Sequence, residues 1–411
     1  MKIVLISLNM SNNLGEHLVI NCTEYLLQKA APDEAFEFTV CDLYGRVQRT
    51  AKLYTPGKNP AFACSKDPSP IDKLVRRVVQ KGKRMAKDAS LRDFFTRLEW
   101  LADPNYASRM RAYFRPIIQS ADLVMFAGGG IIEYSYNRYQ DAIELIVREA
   151  RRAGKPVVFN AVGLVGDCDP QALRFQTMRR ALTSPNVRLI TVRDHVDLMN
   201  ERYLQGAKAA RLVADSAVWA AEAFDVKASP RPVIGLGLVR ESAFESYDRP
   251  IPYANLMDMY REIVAELESR GYGWQLFGNG FENDHEFGEK VIRALGASPA
   301  RLVPRPTEAS ELLKTIAGYQ GIITFRLHSC ISAYSMGIPA VVLSWNDKVD
   351  DFMQIIGHPD RALSGDRAAA HAVVDQMERA LKEPYDESGR AEYRETIADA
   401  VRDAYQITRG R

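Results

Sequence analysis

The chain has 411 residues, of which 46% are hydrophobic and 26% are charged, and its formal net charge is +2. These proportions are ordinary for a folded globular protein, and the length indicates two or three domains. A charge so close to neutral gives no global attraction to nucleic acid or to an anionic membrane. The five cysteines are scattered and form no CxxC pair. This pattern argues against a disulfide framework or a structural zinc site, and it fits a reducing cytoplasm.

The chain opens with MKIVLISLN, an apolar run that is too short for a signal peptide and lacks a small-residue cleavage site. The run predicts a buried first strand. No stretch approaches the roughly 18–20 apolar residues that a membrane span requires. The sequence therefore predicts a soluble, cytoplasmic protein.

Short β-branched runs alternate with longer helical patterns, which is typical of βαβ units and a parallel sheet. In the first half the predicted strands are Ile3–Leu8, Glu37–Cys41, Leu123–Ala127, Val157–Val162 and Arg188–Val192. The predicted helices between them are Leu14–Ala31, Tyr139–Ala153 and Pro170–Leu182.

The periodicity breaks near Phe224, and residues 227–232, KASPRP, read as a linker. In the second half the predicted strands are Val233–Val239, Gly273–Phe277, Arg301–Val303, Gly321–Thr324 and Ala340–Ser344. The predicted helices are Tyr253–Arg270, Asp284–Leu295, Glu308–Gly318, Leu327–Met336 and Arg367–Leu381. Two such series predict two Rossmann-like α/β domains that face each other across a cleft, at about 1–226 and 233–384.

Residues 45–116 do not fit this alternation, because they carry few strand signals and many basic side chains. Within them, residues 72–87 have the pattern of a basic amphipathic helix. Such a helix is either a solvated cover on the sheet or a surface that meets anionic lipid head groups or a lipid-diphosphate substrate. The segment lacks the interleaved aromatic residues that a nucleic-acid-binding surface uses, so no nucleic acid is expected.

Three glycines, Gly128, Gly129 and Gly130, follow the predicted strand Leu123–Ala127. Glycines at the carboxyl end of a strand let backbone amides approach a ligand closely, and this is the edge where α/β sheets bind ligands. The alternative is a tight turn that needs positive φ angles. Sequence alone leaves both interpretations open.

The stretch GIITFRLHSC places Arg326 and His328 between a buried strand and a new helix. The first turn of a helix exposes free N–H groups and the positive end of its dipole. An arginine, a histidine and a helix N-terminus together form a cradle for phosphate or carboxylate.

The stretch ITVRDH places Arg193 and Asp194 after another apolar strand. Here Asp194 is positioned to cap the following helix. Arg193 is then either a second ligand for an anion or the partner of Asp194 in a surface ion pair.

Taken together, several of these segments resemble the polysaccharide pyruvyl transferase family. They are the GGG turn, TVRD, VADSAVW at Val213–Trp219, and FRLHSCISAYSMGIPAVVLSWNDKVDDFMQIIG. The last is the most specific, because it combines an RLH tripeptide, a Gly337-Ile338-Pro339 turn and Lys348 followed by Phe352. The resemblance runs from the first strand to about Gly357 and is weakest across residues 45–116.

The resemblance implies a GT-B-like fold in which a C-terminal helix, here residues 385–411, returns to the first domain. It implies a transferase that moves the enolpyruvyl unit of phosphoenolpyruvate onto a sugar and forms a pyruvate ketal. The acceptor is then a sugar of a polysaccharide or of its lipid-linked precursor, as in exopolysaccharide biosynthesis. No cofactor and no metal are implied.

By the family's pattern, Arg326, Leu327, His328 and Arg193 belong to the phosphoenolpyruvate site. Two arginines suit a donor that carries both a carboxylate and a phosphate. A histidine suits a reaction in which protons move to and from carbon and oxygen, so His328 is the candidate general acid.

The match departs from the family at the first helix, where Asn-x-Gly-Asp is usual and this chain has Asn13-Leu14-Gly15-Glu16. Asn13 and Glu16 either line the cleft or cap the helix. In the segment Phe277–Phe287, Asp284 either contacts the acceptor sugar or caps a helix. Glu133 and Tyr134, after the glycines, are further candidates for binding the acceptor.

Two other functions fit the same architecture, since fold alone does not determine reaction. One is a GT-B glycosyltransferase that uses a nucleotide-sugar donor. The residues at the predicted donor site favour a small dianionic donor over a nucleoside. The other is a non-catalytic relative that binds anionic sugars or serves in an assembly complex. Such a protein would bind phosphoenolpyruvate without releasing phosphate.

Overall fold

A computed structural model describes residues 1–8, 13–45, 103–133, 139–165, 169–240, 251–366 and 368–410, together with isolated positions between 78 and 101 and the pair 243–244. The strands are β1 Lys2–Ser7, β2 Glu37–Asp42, β3 Leu123–Ala127, β4 Ile132–Glu133, β5 Val157–Val162, β6 Leu164–Val165, β7 Val187–Val192, β8 Arg211–Leu212, β9 Arg231–Gly237, β10 Gly273–Phe277, β11 Tyr319–Thr324, β12 Ala340–Ser344 and β13 Ala362–Ser364. The longer helices are α1 Leu14–Ala30, α2 Tyr106–Ser120, α3 Tyr139–Arg152, α4 Leu173–Leu182, α5 Tyr253–Ser269, α6 Glu282–Leu295, α7 Ala309–Ala317, α8 Leu327–Ser335, α9 Asp347–Ile355, α10 Ala370–Lys382 and α11 Glu387–Thr408.

Two parallel sheets organise these elements. The first has the order β2-β1-β3-β5-β7-β8 and the second the order β10-β9-β11-β12-β13. Strands such as β3 and β5 are buried along their whole length, as expected when helices cover both faces of a parallel sheet. The fold is therefore α/β with two Rossmann-like halves, as predicted. Each sheet lies within one of the two predicted domains, whose limits stay a prediction.

The two halves share apolar packing. One buried cluster runs from β1 and α1 through residues 213–226 to helices α7 and α8 of the second half. Helix α1 begins at Asn13, whose side chain accepts a hydrogen bond from the Gly15 amide at 3.2 Å. Its apolar residues at helical spacing then contact both the first sheet and α7. The carboxyl ends of the strands of both sheets meet beside this contact.

The C-terminal helix α11 returns to the first half, as predicted. Its Thr396 hydroxyl accepts a hydrogen bond from the Ala214 amide at 2.9 Å, and the Arg394 carbonyl accepts one from Trp219 Nε1 at 3.0 Å. Arg390 donates to the carbonyls of Tyr334 and Ser335 at the end of α8. The chain therefore passes between the halves twice, at residues 227–230 and 383–386.

Several boundaries differ from the prediction. Arg301–Val303 is not a strand. Arg301 is the last residue of a 3₁₀ turn, Pro299–Arg301, and within the predicted strand only Leu302 forms a β-bridge, with Leu276. Prolines at both ends fix φ and remove backbone donors, which prevents a ladder. Strand β13 and helix α9 were not predicted. The basic insertion was predicted to end at residue 116, but helix α2 continues past that residue to Ser120. Of the predicted helix at 72–87, only Val78 and Gly82 are described, so it stays a prediction.

Trp219 is the point where α11 is fastened to the first half, and it offers a test of that attachment. Lys29 Nζ lies 3.5 Å and the Arg394 guanidinium 4.2 Å from its ring. Trp219→Ala is expected to cost about 3–5 kcal/mol, because it leaves a large cavity and two unstacked cations. The midpoint of thermal unfolding should fall by about 3–6 °C, since the unfolding entropy scales with chain length. Leu212→Ala, at a side chain that is already 41% exposed, is the control and should shift it little.

Candidate active site

The predicted donor segment lies against the first half of the molecule. His328 is in the first turn of α8, immediately after β11, and only 7% of its surface is exposed. A Cβ atom placed on Gly15 of α1 would lie 2.2 Å from His328 Nδ1. The absence of a side chain at Gly15 thus allows α1 to reach the histidine, and the contact joins the two sheets' carboxyl edges.

Asn279 reinforces this junction. Its side-chain amide donates to Asn13 Oδ1 at 2.8 Å. Its main-chain carbonyl accepts from the main-chain amide of Leu14 at 3.3 Å. The Ser329 hydroxyl donates to Asn279 Oδ1 at 3.4 Å. Asn13 therefore caps α1, the simpler of its two predicted roles, and also bonds to the other half.

Arg193 is buried beside His328. Its Nη1 donates to Asp215 Oδ2, and its Nε lies 3.8 Å from Asp194 Oδ2. The predicted surface location is wrong: Arg193 and Asp194 do form an ion pair, but both side chains are buried and Asp215 is the nearer carboxylate. The prediction that Asp194 caps a helix is also wrong, since its Oδ1 accepts from the Leu164 amide at 2.7 Å.

Asp215 links Arg193 to the histidine. Its Oδ2 lies 3.9 Å from His328 Nε2, and its Oδ1 accepts from the Ala217 amide at 2.9 Å. Burial alone would raise the pKa of Asp215, but the Arg193 guanidinium and His328 hold that pKa below its ordinary value. Asp215 is thus a buried anion held in place by a cation on one side and a backbone N–H on the other.

Burial lowers the pKa of His328 to about 4, and the nearby Asp215 carboxylate only partly opposes that effect. Arg193 and Lys348 lower it further, because like charges disfavour the imidazolium. At neutral pH His328 is therefore uncharged, and one of its two ring nitrogens is an acceptor.

Glu16 lies on the other side of the same junction. Burial raises its pKa, although Arg193 and Lys348 oppose the shift. The side chain is 7% exposed, and Oε2 has no hydrogen-bond partner among the described residues. Glu16 therefore lies inside the interface, near Arg193 and Lys348. This position does not match the alternative that Glu16 only caps α1.

The glycine-rich turn packs on α1 and on the second half. Gly128 and Gly129 have φ angles of 59° and 73°, in the left-handed region that favours glycine. A Cβ at Gly128 would lie 2.4 Å from Val19, and one at Gly129 would lie 3.0 Å from Glu16 Oε2. A Cβ at Gly130 would lie 2.8 Å from Lys348 Nζ. The turn needs these glycines for its backbone and its close packing, whether or not it binds a ligand.

Arg326 points away from this group. Its Nη2 donates to Asp284 Oδ2, while Asp284 Oδ1 accepts from the Arg240 amide and from Arg240 Nη1, each at 3.1 Å. The guanidinium lies 4.8 Å from the Phe281 ring. Asp284 is fully buried between two arginines, so the alternative that it caps α6 is wrong. Arg326 and His328 thus occupy neighbouring but separate clusters.

A small cavity of about 10 Å³ lies between the halves and is lined by Arg193, Asp215, Leu327, Lys348 and Tyr393, among others. It has room for roughly one water molecule. Asp215, Lys348 and Tyr393 were not among the predicted site residues. Asp215 and Lys348 lie in segments on which the family resemblance rests, whereas no sequence signal marks Tyr393, which α11 brings to the site.

Glu133 belongs to the short strand β4, which pairs with β6, and Tyr134 lies outside the described residues. Within the described part of the chain, no group of three histidine, cysteine, aspartate or glutamate residues is arranged to hold a metal ion. Nor is any helix in that part both long and apolar enough to cross a membrane.

Two parallel sheets whose carboxyl edges meet around Arg193, Arg326 and His328 define a GT-B-like α/β fold. The chain belongs to the polysaccharide pyruvyl transferase family, whose profile matches residues 13–347. No curated protein matches the chain.

Solved structures share the fold at low sequence identity. UDP-GlcNAc 2-epimerase from Methanocaldococcus jannaschii has a TM-score of 0.55 at 11% identity, covering 99% of this chain and 100% of its own. The epimerase from Neisseria meningitidis bound to UDP-GlcNAc has a TM-score of 0.54 at 10% identity, with 100% of both chains covered. At such identities the likeness establishes the two-domain fold and no reaction.

The contact between Gly15 and His328 can be tested by adding one methyl group. Gly15→Ala places a Cβ inside the imidazole, and the resulting overpacking is expected to cost about 1–3 kcal/mol of stability. The loss should appear as a lower midpoint of thermal unfolding. Gly278→Ala is the matched control, because no described atom lies within 4 Å of its added Cβ. Equal midpoints for the two variants would contradict the contact.

The pKa of His328 predicts how stability changes with pH. Because that pKa falls from 6.5 to about 4 on folding, only the unfolded chain binds the proton between those values. The stability contribution is complete above pH 6.5 and is lost as pH falls through 4. Each pH unit by which the pKa changes on folding corresponds to about 1.4 kcal/mol, so acidification removes about 3 kcal/mol from the free energy of unfolding.

His328→Gln removes this titration, so its unfolding midpoint should fall less than that of the wild type on acidification. Glu16 titrates in both proteins, and its effect cancels in the comparison. His371 is exposed and provides the control, because the unfolding midpoint of His371→Gln should fall with pH as that of the wild type does. An equally large fall in His328→Gln would refute the lowered pKa of His328.

Proposed function

We propose that this protein transfers the enolpyruvyl group of phosphoenolpyruvate to a sugar, forms a pyruvate ketal across two hydroxyls, and releases phosphate. One observation carries the proposal. In a member of the polysaccharide pyruvyl transferase family, Arg193, Asp215 and His328 form a buried cluster where the two sheets' carboxyl edges meet.

The charges at this interface suit a donor with a carboxylate and a phosphate. Arg193 and Lys348 line the cavity, and the N-terminus of α8 lies beside them. Arg326 and Arg240 supply a second cationic group around Asp284. The Nε atoms of Arg193 and Arg326 have no hydrogen-bond partner among the described residues. Each guanidinium carries five N–H groups, so it can bind a ligand while keeping its carboxylate partner.

The acceptor in this proposal is a sugar, either free or lipid-linked. Asn13, Glu16, Asp284, Glu133 and the glycine turn are the candidates for binding it. The basic segment 72–87 is proposed as a peripheral membrane contact for a lipid-linked acceptor on the cytoplasmic side. A cavity of about 10 Å³ admits neither donor nor acceptor, so the two halves must separate for substrates to enter.

Ligand-dependent unfolding tests the donor. Phosphoenolpyruvate at about 100 times its Kd should add roughly 2.7 kcal/mol of stability and raise the unfolding midpoint. Arg326→Ala should lose most of that rise, while Asp284 keeps Arg240 as a partner. Arg231→Ala removes an exposed arginine from the same half and should respond like the wild type. Phosphate release with a panel of methyl glycosides would then measure turnover.

The outcomes separate the three functions. A rise with phosphoenolpyruvate that depends on Arg326, followed by phosphate release, supports the pyruvyl transferase. A rise only with nucleotide sugars would replace it with a glycosyltransferase. Binding of phosphoenolpyruvate without phosphate release from any acceptor would indicate a non-catalytic relative.

A further inference from the structure

Two buried polar side-chain atoms in the interface have no hydrogen-bond partner among the described residues. They are Glu16 Oε2, on the first helix, and His328 Nε2, on the helix that follows β11. Leaving such atoms unpaired in a protein interior is costly, because each has given up its hydrogen bonds to water. Unpaired polar atoms that persist at a candidate site are therefore expected to have partners in the bound ligand.

The two atoms belong to one group of side chains. Glu16 follows Gly15, whose Cα supports the His328 ring, and the glycine turn that touches Glu16 also approaches Lys348. Both Glu16 and His328 respond to the charges of Arg193, Asp215 and Lys348. The Ser7 hydroxyl is a further neighbour of Glu16. These are the titratable or charged groups that face the pair from β1, from the loop segments after β7 and β8, and from α9.

The same burial acts on the two groups in opposite directions. It raises the pKa of Glu16 because it disfavours a carboxylate, and it lowers the pKa of His328 because it disfavours an imidazolium. Burial thus favours a protonated carboxyl on Glu16 and an unprotonated imidazole on His328. When neighbouring groups are separated in this way, the protonated one is suited to donate and the unprotonated one to accept.

On the basis of the function proposed above, we infer that Glu16 is the general acid that protonates C3 of the enolpyruvyl donor and that His328 is the general base for the attacking sugar hydroxyl. Glu16 is thereby a catalytic residue. His328 keeps its place in the reaction but accepts the proton first, in the reverse of the role predicted from sequence.

Glu16 and His328 together account for every proton that moves in the reaction. The Glu16 carboxyl gives its proton to C3 as the C2–C3 π bond breaks, and the first sugar hydroxyl oxygen bonds to C2 while its proton passes to His328 Nε2. His328 returns that proton to the bridging phosphate oxygen as the C2–O bond breaks and phosphate leaves. The second hydroxyl then bonds to C2, and its proton restores the Glu16 carboxyl.

The first experiment measures the two protonation states directly. Carbon-13 NMR of the glutamate carboxyl carbons, with Glu16→Gln to assign the signal, gives the Glu16 midpoint. Nitrogen-15 NMR, with His328→Gln for assignment, gives the His328 midpoint. The Glu16 midpoint should lie above its ordinary value of 4.5 and above that of His328, expected near 4. A Glu16 midpoint at or below that of His328 would overturn the inference.

The second experiment measures phosphate release from phosphoenolpyruvate with the methyl glycosides. Glu16→Gln should lose roughly 10²–10⁴-fold in kcat, since general acid catalysis is typically worth that much. It should keep the rise in unfolding midpoint with phosphoenolpyruvate, and Glu16→Asp should recover part of the rate. Glu16→Gln should also lose the alkaline limb of the pH profile, and His328→Gln the acidic limb.

Glu24→Gln is the matched control. Glu24 lies on the same helix, and burial raises its pKa to about 7, but it is two turns away from the interface contact. Its variant should turn over within about twofold of the wild type. Wild-type-like kcat in Glu16→Gln would refute the inference and leave the proposed function standing. If the wild type itself releases no phosphate with any acceptor, both fail, and the NMR midpoints identify only an unusual buried pair.

Discussion

The buried carboxylate of Asp215 is the interaction on which the arrangement of the site depends. It holds Arg193 from the first half and approaches His328 from the second, while its other oxygen is fixed by the Ala217 amide. A buried ion pair rarely adds much net stability, because desolvation offsets the attraction. Breaking one side of it is nevertheless costly. The pair therefore contributes mainly to geometry, by fixing one cation and one imidazole at defined positions in an interior that excludes water.

That exclusion of water shifts the pKa values of the two titratable groups in the interface, raising that of Glu16 and lowering that of His328. In water a glutamate and a histidine have similar affinities for protons, within about two pH units. Burial separates them in opposite directions, and the fixed charges of Arg193, Asp215 and Lys348 only partly compensate. Closure of the two halves thus does more than enclose a ligand, because it also sets the protonation states around it.

Most of the fold follows from local patterns. Strands β3, β5, β10 and β12 were predicted with their observed bounds, because short runs rich in apolar residues lie between longer helical patterns, which is typical of a parallel sheet. The site was less accessible to this reasoning. Arg326 and His328 are two residues apart, and side chains at that spacing near a helix start do not face the same way. One pairs with Asp284 and the other with Gly15 and Asp215, contacts that only the packing of the two halves determines.

The two chain crossings described for the C-terminal helix limit how the molecule opens. A protein joined by one linker can separate its halves in any direction, whereas two connections leave rotation about the line between them as the main freedom. Here Arg390 also attaches α11 to the end of the helix that begins with His328. The side of the molecule near α11 is therefore the tethered edge of the interface. In the proposed function, substrates would enter from the opposite edge, where the part of a polysaccharide beyond its terminal sugar would remain in solvent.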